Sequence, residues 1–317
     1  MDNIKTPSIR NYKDGIFAID SGYIRKEFAS IHLIVEKNKV AVVDTGTNHS
    51  VNNLLSALEI LKLRMEDVQW ILLTHIHLDH AGGAGQLMKI FPNARLAVHS
   101  RGLRHMINPD KLWSAVVDVY GIDTAKTQYG SLIPIDKDRI DELQEGKVVM
   151  LGDRAIEVWD APGHAKHHVF FRDVKTKSIF TGDTFGISYK EMDSSRGSFV
   201  FLSSSPTQFS PQDAENSIKR IMNSDAEVVY LTHYSRLGNI KNAGNSLLKL
   251  VSDYVKIAES FHTLEIAEEK IGAAVTNLLL DSALTHGVNL PKKKIIELLK
   301  LDIELNTSGL ISWVREN

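Results

Sequence analysis

The sequence predicts an α/β fold: two groups of strands, each joined to helices, followed by a helical C-terminal stretch. Short β-branched and apolar runs recur between residues 16 and 231, with helical spacings between them. Turn residues and helix caps punctuate these runs. From Asn239 onward the strand signals stop, and Leu247, Leu248, Leu250, Val251 and Val255 recur at helical spacing.

Taken in order, residues 16 to 46 read as β structure. Ile31-His32-Leu33-Ile34-Val35 and Val40-Ala41-Val42-Val43 flank the turn Lys37-Asn38-Lys39, a hairpin pattern that ends in Asp44-Thr45-Gly46. Leu54, Leu55, Leu58 and Leu61 mark a helix over 51 to 63. The apolar run Trp70-Ile71-Leu72-Leu73 reads as a buried strand, and Ala81-Gly82-Gly83 opens a helix that reaches about Phe91. Arg95 to Val98 is a short strand. Residues 100 to 145 break the rhythm with helical pieces (Leu112, Val116, Val119), Tyr120-Gly121, Pro134 and a charged stretch from Asp136 to Glu145; they read as an insertion over the site. Strands resume at Lys147–Met150, Ala155–Asp160, His168–Arg172 and Ser178–Thr181. Residues 184 to 209 form a long aromatic loop carrying Phe185, Tyr189, Phe199, Phe201 and Phe209. Ser210-Pro211-Gln212-Asp213 starts a helix: Ser210 suits the N-cap, Pro211 the first turn. Glu227–Leu231 is the last expected strand. Two more helices are expected over 270–280 and 292–301, the second opening on a solvated Lys292-Lys293-Lys294. This organisation suggests a catalytic domain over 1–238 and a helical extension over 239–317.

Between the strand at 70–73 and its helix lies His75-Ile76-His77-Leu78-Asp79-His80. Four of these six side chains can bind a transition metal. Three more candidate ligands end strand-like segments: His164 in Ala161-Pro162-Gly163-His164, Asp183 in Thr181-Gly182-Asp183, and His233 in Leu231-Thr232-His233. Five His and two Asp suffice for two ions with an open coordination position. Composition excludes several other chemistries. Cysteine is absent, which removes disulfides, a Cys nucleophile and Cys ligands, and fits a cytoplasmic protein. A formal charge of −2 gives no global attraction to nucleic acid. No apolar run reaches the roughly 18 residues of a membrane helix, and Met1–Gly15 lacks an apolar export core. The expected partner is a small-molecule substrate; dimerisation through the helical tail stays open.

The strand–HxHxDH–helix unit, with Asp44-Thr45-Gly46, Gly163-His164, Thr181-Gly182-Asp183 and His233 in order, resembles the metallo-β-lactamase superfamily across about residues 16 to 235. Its helical tail is similar to that of the glyoxalase II-like hydrolases. The resemblance implies an αββα sandwich with metals at one edge of two sheets. It implies that His75, His77 and His164 hold one metal, that Asp79, His80 and His233 hold a second, and that Asp183 bridges them. Zinc is favoured mildly, with iron or manganese admissible. The expected chemistry is attack of a metal-activated hydroxide on an ester, thioester or lactone, with Asp79 also moving the proton. Two alternatives remain at this stage. One is a mono-iron oxidoreductase resembling the persulfide dioxygenases, using His75, His164 and Asp183. The other is a phosphodiesterase or phosphotriesterase. His77 stands where flavodiiron proteins carry Glu, and the absence of Cys sets aside the β-lactamases that use a Cys ligand. Asp44 and His168 are candidates to orient ligands; Tyr234, Tyr189, Phe185 and Arg236 are candidates to line a pocket. His32, His49, His99, His105, His167, His262 and His286 show no partner pattern, so ordinary surface or core roles are expected.

Overall fold

Why parallel and antiparallel strands alternate here follows from connection length, since a parallel pair needs a crossover and an antiparallel pair only a turn. The computed structural model describes residues 6–206, 208–261 and 266–316. Packing divides the chain into two units. The first comprises Met1–Asp160, Val169–Thr181 and Thr232–Ser235; the second comprises Ala161–His168, Gly182–Leu231 and Arg236–Asn317.

In the first unit, a seven-stranded sheet runs in chain order: β1 (Ile9–Asn11), β2 (Ile16–Asp20), β3 (Ser30–Glu36), β4 (Lys39–Val43), β5 (Val68–Leu72), β6 (Arg95–His99) and β7 (Ile140–Leu143). β1 to β4 pair antiparallel, β1–β2 and β3–β4 through short turns and β2–β3 through a loop over 21–29, with Glu36 opposite Lys39 across the expected hairpin. β4 to β7 pair parallel through helical crossovers. These are α1 (Val51–Ile60), then α2 (Leu78–Ala81) with α3 (Ala84–Ile90), then α4 (Ser100–Ile107), α5 (Asp110–Tyr120) and α6 (Ile122–Tyr129). Val42, Ile71 and Leu96 of the sheet pack with Leu54 and Leu58 of α1 and Leu87 of α3 in one fully buried core. Burial on both faces explains why β3 and β4 read as continuous apolar runs without alternation.

Four strands of a second sheet follow as an antiparallel meander: β8 (Val148–Leu151), β9 (Arg154–Asp160), β10 (Val169–Asp173) and β11 (Ser178–Gly182). β8 does alternate, with Val148 and Met150 exposed and Val149 and Leu151 buried, as an edge strand should. The buried Arg154 guanidinium donates to Asp173 Oδ1 at 3.0 Å and to the Asp14 carbonyl at 2.7 Å, so this cation is paired and hydrogen-bonded.

The second unit contains β12 (Ile187–Ser188) paired with β13 (Val200–Phe201), α7 (Pro211–Met222), β14 (Val228–Leu231), β15 (Ser235–Leu237), and four C-terminal helices. These are α8 (Ile240–Phe261), α9 (Ala267–His286), α10 (Lys292–Leu298) and α11 (Lys300–Glu316). Ser210 caps α7 as expected, its hydroxyl accepting from Asp213 N. α11 is stitched to the 184–209 segment by buried polar groups. Tyr189 donates to Asp302 at 2.9 Å, and Asn306 accepts from Ser204 N at 2.6 Å.

Several local expectations change. The stretch from Asp136 to Glu145 is not part of an insertion; it holds a 3-10 turn and the parallel edge strand β7, with Ile140 and Leu143 buried. The 184–209 loop carries a two-stranded ribbon, and Phe185, Tyr189, Phe199 and Phe201 are core residues. The rings of Phe199 and Tyr189 each lie 5.6 Å from that of Phe201. β1 and β15 are additional strands. Among the described residues, no helix is long and apolar enough to cross a membrane. His262 lies outside the described residues.

Candidate metal centre

The carboxyl ends of β4 and β5 place Asp44 and the His75–His80 turn next to each other in the first unit. Asp44 has a left-handed backbone (φ 56°), a conformation that Asp tolerates better than most side chains. Its buried carboxylate accepts from Thr74 N at 2.9 Å, Thr74 Oγ1 at 2.9 and 3.0 Å, Thr232 Oγ1 at 2.9 Å and His80 Nδ1 at 2.8 Å. Thr45 N and Oγ1 both donate to the His80 carbonyl, so the Asp44-Thr45-Gly46 loop holds the start of α2 from two directions.

These bonds decide which nitrogen of each histidine carries the proton. A carboxylate and a backbone carbonyl can only accept. His80 Nδ1 faces Asp44, and His233 Nδ1 faces the Phe28 carbonyl at 2.9 Å, so both Nδ1 atoms donate and both Nε2 atoms present a lone pair. His75 follows the same logic: the Thr74 hydroxyl hydrogen is directed at Asp44, so Thr74 Oγ1 accepts from His75 Nδ1 at 3.1 Å. A histidine held this way, with its remote N–H on a carboxylate or carbonyl, is oriented as metal-ligating histidines are.

Ligand atoms around a tetrahedral ion with bonds of ~2.0–2.1 Å sit about 3.3 Å apart. In the first unit, Asp79 Oδ2 lies 3.3 Å from His233 Nε2 and 3.7 Å from His80 Nε2, and His75 Nε2 lies 2.9 Å from His77 Nδ1. Asp79, His80 and His233 thus offer three ligand atoms within 4.8 Å of one another and could hold an ion. The residues present fit a divalent metal.

The second unit brings the remaining two expected ligands together. His164 Nε2 lies 3.7 Å from Asp183 Oδ2. His164 Nδ1 donates to the Ser203 carbonyl at 3.0 Å, which again puts the lone pair on Nε2. Gly163, at φ 135°, has to be glycine because an added Cβ would meet the Ala214 backbone of α7 at 2.5 Å. His168 Nε2 accepts from Asp183 N at 3.2 Å, so this buried histidine anchors the backbone that carries the carboxylate.

Other expected residues sort differently. His32 is buried between Ser235 Oγ (2.9 Å) and the ring of Phe180, and burial lowers its pKa to about 3. Arg236 is exposed. Tyr234 is buried, and burial raises its pKa well above the usual phenol value. Thr74, Thr232 and Phe28 were missed by sequence reasoning. Both threonines directly precede a candidate histidine, which was the available signal; Phe28 acts through its backbone carbonyl, which no side-chain pattern reveals.

A sequence model of the metallo-beta-lactamase superfamily matches residues 24–233. The chain belongs to this superfamily. The αββα fold class with C-terminal helices expected from the sequence is therefore that of its family. A metallo-beta-lactamase fold-containing protein of Sulfurisphaera tokodaii is 24% identical over 176 residues, covering 54% of this chain and 63% of the relative. An acyl-coenzyme A thioesterase of Homo sapiens is 28% identical over 184 residues, again 54% of this chain and 63% of the relative. These matches thus span less than two thirds of either relative's length. A solved archaeal metallo-beta-lactamase superfamily protein from Sulfolobus tokodaii superposes with a TM-score of 0.65 at 22% identity, covering 96% of this chain and all of that one. At that identity the likeness is one of fold.

Proposed function

We propose that this superfamily member is a two-metal hydrolase of an ester, thioester or lactone, with a thioester as the first candidate. The observation that carries the reading is the shared proton placement: His75, His80, His164 and His233 each donate from Nδ1 to a fixed acceptor and so each present Nε2 as a ligand atom. The thioesterase name of the human relative supports the thioester.

In this reading His75, His77 and His164 would hold one ion and Asp79, His80 and His233 the other, with Asp183 as a ligand shared by both. Neutral imidazoles and carboxylates favour zinc, with iron or manganese as substitutes. Bound divalent ions would supply a water of lowered pKa and polarise the acyl carbonyl. Asp79 takes a proton from the attacking water and returns it to the leaving thiolate or alkoxide as the acyl–S or acyl–O bond breaks. The products are a carboxylic acid and a thiol or alcohol. Residues 1–238 form the catalytic domain and 239–317 a helical extension.

Elemental mass spectrometry of the purified protein tests this directly. About two zinc ions per chain, with hydrolysis of a panel of thioesters, esters and lactones, is the expected result. Asp183→Ala should lose both metals and nearly all turnover while keeping its circular dichroism spectrum; retained turnover would sink the bridging role. A single iron with oxygen uptake on thiol persulfides would replace the hydrolase by an oxygenase.

A further inference from the structure

Three phenols meet in the first unit, outside the expected ligand set. Tyr23 lies in the β2–β3 loop, Tyr120 ends α5 and Tyr129 ends α6. The hydroxyls of Tyr23 and Tyr129 are 3.1 Å apart and hydrogen-bonded. The Tyr23 and Tyr120 rings lie 5.8 and 5.9 Å from that of Tyr129. This cluster abuts the candidate metal centre through Phe28. The Tyr23 ring is edge-on to Phe28 at 5.6 Å, Phe28 is edge-on to His233 at 5.1 Å, and the Phe28 carbonyl holds His233 Nδ1.

Counting hydrogens shows what the cluster can do. Tyr23 and Tyr129 share one hydrogen bond, which uses one of their two hydroxyl hydrogens. For the other hydrogen, the acceptor found among the described residues is the Gln128 side-chain oxygen, 3.4 Å from the Tyr23 hydroxyl, a long and weak bond. An oxygen atom on a bound substrate competes easily for that hydrogen. Burial, then the negative charge of Asp79, raises the pKa of Tyr23 and of Tyr120; burial and its phenol neighbours raise Tyr129, with Asp79 adding to them. All three therefore stay protonated donors at any working pH, within the electrostatic reach of Asp79.

We propose that Tyr23 and Tyr129 are positioning residues whose hydroxyls donate to an uncharged oxygen of the acyl group and orient it beside Asp79. The proposal rests on the hydrolase reading for its substrate, but its geometry does not need turnover. α6 is held where this role requires it. Gly121 (φ 79°) and Gly130 (φ 74°) bound the helix at both ends, and Asn48 Nδ2 fastens the following residue by donating to the Ser131 carbonyl at 2.9 Å.

The test is calorimetric titration of the zinc-loaded protein with acetohydroxamate, a small carbonyl-oxygen probe, together with the near-ultraviolet tyrosine difference spectrum. Tyr23→Phe and Tyr129→Phe each remove one hydroxyl and no ring. Each should weaken the probe about fivefold, the effect of one neutral hydrogen bond. Each should also reduce the tyrosine difference band, with zinc content and far-ultraviolet spectrum unchanged. Equal affinity in wild type and both variants overturns the proposal, as does an absent tyrosine difference band in the wild type. Tyrosine-dependent binding without hydrolysis of any ester, thioester or lactone would remove the hydrolase reading and leave the phenol pocket standing.

Discussion

The turn at His75–His80 and helix α5 belong to the same unit and are held in opposite ways. His75 and His80 are fully buried, and each has its far nitrogen on a named acceptor. α5 carries Leu112, Trp113, Val116, Val117 and Val119, yet none of its residues is buried, and Val119 is 55% exposed. Both stretches looked distinctive in sequence, one for its imidazoles and one for its broken rhythm. The contrast shows where this fold spends its hydrogen bonds: on atoms that must point in one direction, and not on the crossover beside them.

Asp44 is the place to break that contrast. In Asp44→Asn the amide nitrogen would face the donors His80 Nδ1 and Thr232 Oγ1, and His80 could then shift its proton to Nε2. Zinc affinity at the Asp79, His80 and His233 group should fall about 10- to 100-fold, and stability by roughly 2–4 kcal/mol for the unsatisfied donors. Zinc competition against a chelator and urea unfolding of the metal-free protein measure the two effects. Unchanged zinc affinity would show that the carboxylate does not set the tautomer.

A comparably large but pH-dependent effect belongs to His32. Its folded pKa is about 3 against 6.5 for the free side chain, so between those values the unfolded chain binds the extra proton. The contribution is fully present above pH ~6.5 and is lost as pH falls toward 3, on the order of 5 kcal/mol in all. Urea unfolding of metal-free wild type and His32→Leu at several pH values isolates it; a slope equal in both proteins would assign the acid sensitivity elsewhere. At the other end of the scale, Val119→Lys on α5 should change stability by less than about 0.5 kcal/mol. A larger loss in a thermal melt would mean that α5 is covered in solution.

The legible parts of the molecule were those with strong local patterns. β3, β4 and β5 carry apolar runs (Leu33–Val35, Val40–Val43 and Trp70–Leu72), and α7 announces itself by Ser210 and Pro211. β7 was illegible because Asp141 and Glu142 lie between its two buried ends, so an edge strand looked like a charged loop. β15 was hidden because only three residues, Ser235–Leu237, carry it, one residue beyond His233. At the site, the histidines and aspartates stood out by residue type. The Phe28 and Ser203 carbonyls that set the tautomers of His233 and His164 come from any residue at those positions, and only folding brings them into place.

One bond has a consequence for the order of events during synthesis. Thr232 donates to an Asp44 carboxylate oxygen across 188 residues of chain. A growing polypeptide therefore displays its histidine-rich turn long before the last donor to Asp44 exists. Metal captured early would meet a half-built cradle, and the final arrangement waits until Thr232 and His233 have emerged. A chain halted before residue 232 lacks the Thr232 donor to Asp44 and should therefore bind zinc more loosely than the full chain.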